Sequence, residues 1–216
     1  MKKKILVACL CVALAVLTIA GTTLAYLTSK DTVTNTFTVG NVSITLDEKD
    51  TDNDTNSADN VTINNVVRDK ANAYHLMPGV SYEKDPTVHV ANTSDDSWIF
   101  VKVENGISAF EADNSSEEGG YKNIANQIVG NGWTALTGVT GVTGVYYKEF
   151  SKLANTTGTT DYIVFSNFQI SDAANTVDGW DAIGDSNNIV VTAYAIQKAG
   201  FTTAAAAWAE VSKPAA

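Results

Sequence analysis

The sequence predicts an all-β protein: a jelly-roll-like antiparallel β-sandwich with short helical inserts and a short C-terminal helix. Three observations lead there. Runs rich in β-branched and aromatic residues recur with period two, while helical periodicity is confined to two short stretches. Once exported, the chain would also have no cysteine, so its shape would rest on packing and hydrogen bonds alone.

Export is read from the first residues. Met1-Lys2-Lys3-Lys4 gives a positive start, Ile5 to Leu17 is unbroken apolar, and Thr23-Leu24-Ala25 places small residues for cleavage between Ala25 and Tyr26. The run is short for a membrane anchor, which needs about 20 apolar residues. A lipoprotein box, Leu6-Val7-Ala8-Cys9, would leave too little apolar sequence before the cut and is set aside. The organisation expected is a signal peptide, 1–25, and one secreted β-sandwich domain, 26–216.

The whole chain has 216 residues, 24 acidic and 14 basic, and a formal net charge of −10. Residues 1–25 hold three lysines, no acid and both cysteines, Cys9 and Cys11, so the remaining 191 residues carry a net −13. With no basic stripe, a nucleic-acid partner is excluded. With no thiol left, so are disulfides, a Cys-based metal site and a Cys nucleophile.

Along the exported part, Phe37, Val39, Val42, Ile44 and Leu46 read as one strand with a bulge at Gly40-Asn41, where the parity shifts. Residues 47–65 (DEKDTDNDTNSADNVTINN) read as an acidic surface loop. Val88 and Val90 alternate with Thr87 and His89, which puts His89 on a solvent or edge face. Trp98 to Glu104 runs into Asn105-Gly106, a strong hairpin signal. Tyr121 to Val129 reads as a short helix with Ile124 and Ile128 on one face. The triplet Thr-Gly-Val, repeated from Thr137 to Val145, fits neither helix nor sheet and reads as a loop entering a strand at Tyr146-Tyr147. Tyr162 to Ile170 and Asn188 to Gln197 are further strands, for roughly seven to nine in all. Thr202-Thr203 caps a helix over Ala204 to Val211, anchored by Trp208.

Little of this carries catalytic chemistry. His75, beside a Leu-Met-Pro-Gly turn, and His89 have no partner at metal-protease spacing, and no nucleophile elbow or phosphate loop occurs. Asp50, Asp52 and Asp54 open like a calcium loop. Thr55 then stands where an EF-hand needs Gly and Val61 where it needs Glu, so only a looser calcium site is left beside the plain reading of a solvated loop. No other cofactor is expected. Trp98, Trp133 and Trp180 suit a carbohydrate-binding platform or, more simply, the core.

Several blocks taken in order carry a resemblance. They are Ala25 to Ser29 (AYLTS), Asn35 to Val42 (NTFTVGNV), Leu76 to Glu104, Tyr146-Tyr147 with Tyr162 to Phe168, and Ala193 to Trp208 (AYAIQKAGFTTAAAAW). Together they resemble the TasA/camelysin family over most of the chain. The resemblance implies a secreted jelly-roll subunit or accessory of biofilm-matrix fibres in Gram-positive bacteria, released by a SipW-type signal peptidase.

It also implies that residues 26–39 act as a donor strand filling a groove in the next copy. The residues allow this: Val33, Asn35, Phe37 and Val39 share one face, threonines hold the other, and no proline interrupts. Pairing of this strand within its own subunit is equally allowed by the residues; the resemblance favours the donor role. The same resemblance carries a competing label, a cell-surface metallo-endopeptidase, for which the two isolated histidines supply no zinc triad. A surface binding module is a third reading.

Overall fold

A computed structural model describes residues 40–52, 61–63, 66–116, 120–152, 157–184 and 187–213, all within one compact unit, Gly40–Ala216. Two antiparallel sheets form its body. One has the order β2-β3-β1-β5-β9, from Val61–Ile63, Val66–Asp69, Ile44–Lys49, Thr87–Ala91 and Thr159–Ile163. The other has the order β11-β6-β8-β7, from Ile189–Gln197, Ser97–Asn105, Val145–Phe150 and Thr134–Ala135. A two-stranded ribbon pairs β4 (Ser81–Glu83) with β10 (Asn167–Gln169). The fold is all-β with short helices, as its period-two runs predict.

Alternation explains how the sheets meet. In β5, Val88 and Val90 face Leu46 and Ile44 of β1 across the pair, and this face packs on Ile99, Val101 and Val103 of β6. Val191, Ala193 and Ala195 of β11 lie beside those β6 residues in register and join the same core. The other face of β6 is covered too. Trp98 and Phe100 meet a second cluster with Val145, Leu136 and Trp208. Burial on both faces is why this strand reads as a continuous Trp-Ile-Phe-Val run.

The C-terminal helix forms where its local signals place it, and the first helix starts at Ile124, three residues later than the expected Tyr121. In α1 (Ile124–Gly130) the Asn123 side chain accepts from Asn126 N at 2.8 Å, and Ile124 and Ile128 point into the core. In α2 (Ala204–Val211) the Thr203 hydroxyl accepts from Ala206 N at 3.2 Å, and Ala207 and Trp208 are buried. The Thr-Gly-Val repeat is a loop in which Gly138, Gly141 and Gly144 all have positive φ (76°, 75° and 67°). Each left-handed step suits glycine, and Val139 and Val142 pack beside the second cluster.

Four expectations are corrected. Among the described residues the first strand starts at Ile44, and residues 40–43 lie before it outside any strand, tied by Asn41 N to Asp95 Oδ2 at 3.0 Å and Ser43 N to Ser94 Oγ at 3.0 Å, while Phe37 and Val39 lie outside the described residues. The acidic loop is shorter than 47–65, because Asp47, Glu48 and Lys49 belong to β1 and Val61–Ile63 to β2. Asn105-Gly106 makes no two-residue hairpin. Asn105 Oδ1 accepts from Ile107 N at 3.1 Å, and the following turn drives Ile107 and Phe110 into the core while β6 pairs with β8 and β11. Finally, Tyr162 to Ile170 is two strands. The chain leaves β9 at Val164-Phe165, both fully buried, and enters the ribbon as β10.

Candidate functional site

Two features outside the core stand out: a row of buried charge across one sheet and an open groove between the sheets. The row follows from strand parity. On the outer face, His89 lies opposite Thr45 of β1 and Asp161 of β9, with Asp47 two residues further along β1. His89 Nδ1 bonds Asp161 Oδ1 at 2.6 Å and Nε2 bonds Asp47 Oδ1 at 3.0 Å. Arg68 of β3 adds its Nε to the same Asp47 carboxylate and its Nη1 to Asp85 Oδ2 at 3.0 Å.

His89 is thus buried, at 6% exposure, on an interior strand, and the solvent or edge face expected for it is corrected. Burial alone would push its pKa down. The hydrogen bonds to Asp161 and Asp47, and their charge, outweigh that and hold it above the ordinary histidine value. Asp161 responds in kind: burial pushes it up, but bonds from His89 and Thr159 hold it below the ordinary carboxylate value.

The sign of the pH dependence follows. Stability from a raised histidine is complete below about pH 6.5 and fades as pH rises through the folded pKa. Stability from a lowered aspartate is complete above about pH 4 and fades as pH falls through its folded pKa. Urea titrations should find this pair contributing most between those limits, with stability falling towards pH 8. His89→Asn should flatten the upper slope; an unchanged slope would show that His89 stays neutral.

The groove, about 920 Å³, opens between β1 and β11. Its apolar wall includes Leu46, Ile107, Phe168, Ile189 and Val191, and Glu48, Asn72 and Lys84 supply polar groups. Both bordering strands present free edges here. β1 pairs with β3 only at Glu48 and Lys49, so along Ile44–Leu46 no described strand lies on that side. β11 is terminal in its sheet over all nine residues, and among the described residues no strand pairs its outer edge.

The calcium candidates are divided. Asp50 N donates to Val67 O at 3.0 Å, tying the end of β1 to β3, and Asp52 Oδ2 accepts from Ala73 N at 2.6 Å. Asp54 lies outside the described residues, as do Ala25, Tyr26, Val33, Asn35, Phe37 and Val39. His75 sits on the groove rim, apart from the His89 row. Trp98 and Trp133 are core residues, and the Trp133 indole donates to Ile163 O at 2.9 Å. The charged row was missed from sequence. Arg68, the single arginine of the chain, set between Val67 and Asp69 in a strand pattern, was the signal that could have found it.

Residues 1–131 match the family described as camelysin metallo-endopeptidase. The chain belongs to that family, which also includes TasA and consists of secreted and cell-surface proteins. No curated protein and no solved structure compared gives a match. A metallo-endopeptidase would need a metal held by several side chains. Among the described residues no group of three or more His, Cys, Asp or Glu is arranged to hold one, and His89 already spends both ring nitrogens on carboxylates. The described residues do not fit such a centre. Among them, too, no helix is long and apolar enough to cross a membrane.

Proposed function

We propose that this camelysin-family protein is a secreted structural subunit, or accessory, of extracellular matrix fibres. Residues 1–25 are removed by a SipW-type signal peptidase between Ala25 and Tyr26. The freed segment 26–39 of one copy then enters the groove between β1 and β11 of the next. The observation that carries this reading is the groove itself. It is a trough with one apolar wall and a polar one, bordered by two strand edges without a described partner, one of them spanning about 30 Å at 3.3 Å per residue. A long open edge invites strand addition.

The segment suits the trough. Phe37, Val39 and Val33 share a face that can fill an apolar wall, while its backbone supplies the missing ladder bonds. Head-to-tail addition does not close on itself and yields filaments. The net charge of −13 on the exported chain keeps subunits apart until that contact forms. The chain works without a cofactor in this role.

Electron microscopy of the mature chain tests the reading, with filaments expected. Phe37→Asp should leave the subunit folded by circular dichroism and abolish filaments. A variant that still polymerises would place the interface elsewhere. Chain that keeps residues 1–25 should not assemble, because the segment stays tethered at its start.

A further inference from the structure

At the groove mouth, three side chains and one loop residue are arranged as a reaction centre rather than a simple ion pair. Glu48, at the end of β1, is 5% exposed, and Lys84, between β4 and β5, is 8% exposed. Lys84 Nζ donates to Glu48 Oε2 at 2.5 Å and lies 5.9 Å from the centre of the Tyr74 ring. The second oxygen of the same carboxylate, Oε1, accepts from the Asn72 amide Nδ2 at 2.9 Å. One carboxylate thus holds an amine and a carboxamide side by side. The far end of the carboxamide is fixed as well: Asn72 Oδ1 accepts from Thr51 N at 2.7 Å and from Thr51 Oγ1 at 3.0 Å.

We propose that Lys84 and Asn72 join in an intramolecular amide cross-link, with Glu48 as the proton carrier. Each role has an occupant. Glu48 takes a proton from the Lys84 ammonium along their contact, and the free amine attacks Cγ of Asn72. As the new C–N bond forms, negative charge develops on Oδ1, where the two Thr51 donors already point. Glu48 then gives its proton to Nδ2, the C–Nδ2 bond breaks to release ammonia, and the carboxylate removes a proton from the new amide nitrogen and passes it to the departing ammonia, which leaves as ammonium. Lysine ammonium plus asparagine carboxamide becomes an amide plus ammonium, with no oxidant or external reagent.

A buried Lys–Glu pair needs only each other. What it does not need is a carboxamide whose nitrogen rests on the same glutamate and whose oxygen rests on paired donors. The consequence suits a thiol-free extracellular chain. The bond would close a short ring from residue 72 to residue 84, limiting the unfolded chain as a disulfide does, and would fix one wall of the groove. The inference stands apart from the fibre reading, since it concerns a single subunit.

Intact-mass spectrometry of the purified mature chain tests it. The expected mass is short of the sequence mass by one ammonia, with no tryptic cleavage after Lys84 and a single peptide, Ala71 to Lys102, that carries the deficit as an internal link between Asn72 and Lys84. Lys84→Arg and Glu48→Gln should each restore the full mass. A wild-type chain of full mass overturns the proposal. So does a deficit that persists in Lys84→Arg, or one that maps to Asn105-Gly106 as a cyclised asparagine.

Discussion

Replacing Arg68 by alanine is expected to destabilise the protein by about 3–5 kcal/mol, the cost of breaking a buried ion pair from one side. The guanidinium is a permanent cation set between the Asp47 and Asp85 carboxylates. Its Nε serves Asp47, its Nη1 serves Asp85, and its Nη2 reaches the Asp47 and Asp85 carbonyls at 3.3 and 3.2 Å. The side chains of Arg68 and Asp47 are only 11% and 12% exposed, so water replaces little of what is lost. Without Arg68, Asp47 keeps a single counterion, His89, and then only while that ring is protonated.

The loss should therefore be larger at pH 8 than at pH 6. Urea unfolding at both values measures it, and Arg68→Ala/Asp85→Asn should recover part of the loss by removing one orphaned charge. A change below about 1 kcal/mol, the range of exposed ion pairs, would show that the row is solvated.

That row marks where sequence reasoning stops. What lies within a few residues was legible. Thr203 caps the C-terminal helix where its neighbours place it, Ile124 and Ile128 share a buried face one turn apart, and the Thr-Gly-Val repeat is a loop. The all-β class and the strand around Val88 follow from alternation, and those around Trp98 and Val190 from continuous β-branched and aromatic runs. The groove and the charged row do not, because both depend on which strand lies beside which.

Asp47 looked like the start of an acidic loop because the residues after it are polar. Pairing with β5 keeps it in a strand, where its partner across the sheet comes from residue 89 and its cation from residue 68. Asn105-Gly106 carries a hairpin signal, yet the turn after it is spent on burying Ile107 and Phe110, and the neighbours of β6 come from 145–150 and 189–197. The Glu48–Lys84–Asn72 centre draws on three segments in the same way. Long-range register decides these features, and local pattern carries no record of it.

Trp208→Ala is expected to cost about 3–5 kcal/mol, the usual range for deleting a buried large aromatic, and to release α2 from the sheet. Trp208 is 6% exposed and sits 5.4 Å from the Phe100 ring and 5.2 Å from the Tyr194 ring, the latter edge-on at 85°. Those two rings belong to β6 and β11, paired directly across the ladder. The tryptophan therefore clamps β11 onto β6 from the face opposite the main core.

Alanine elsewhere in α2 supplies helix propensity but little apolar area, so no neighbour takes over the contact. Near-ultraviolet circular dichroism should lose aromatic signal, and hydrogen exchange should quicken along β11 before the five-stranded sheet is affected. If β11 also accepts the donor segment, the variant should bind that segment more weakly even below its melting temperature. Unchanged exchange along β11 in Trp208→Ala would mean that β6 alone holds the strand, and that α2 is a cover rather than a clamp.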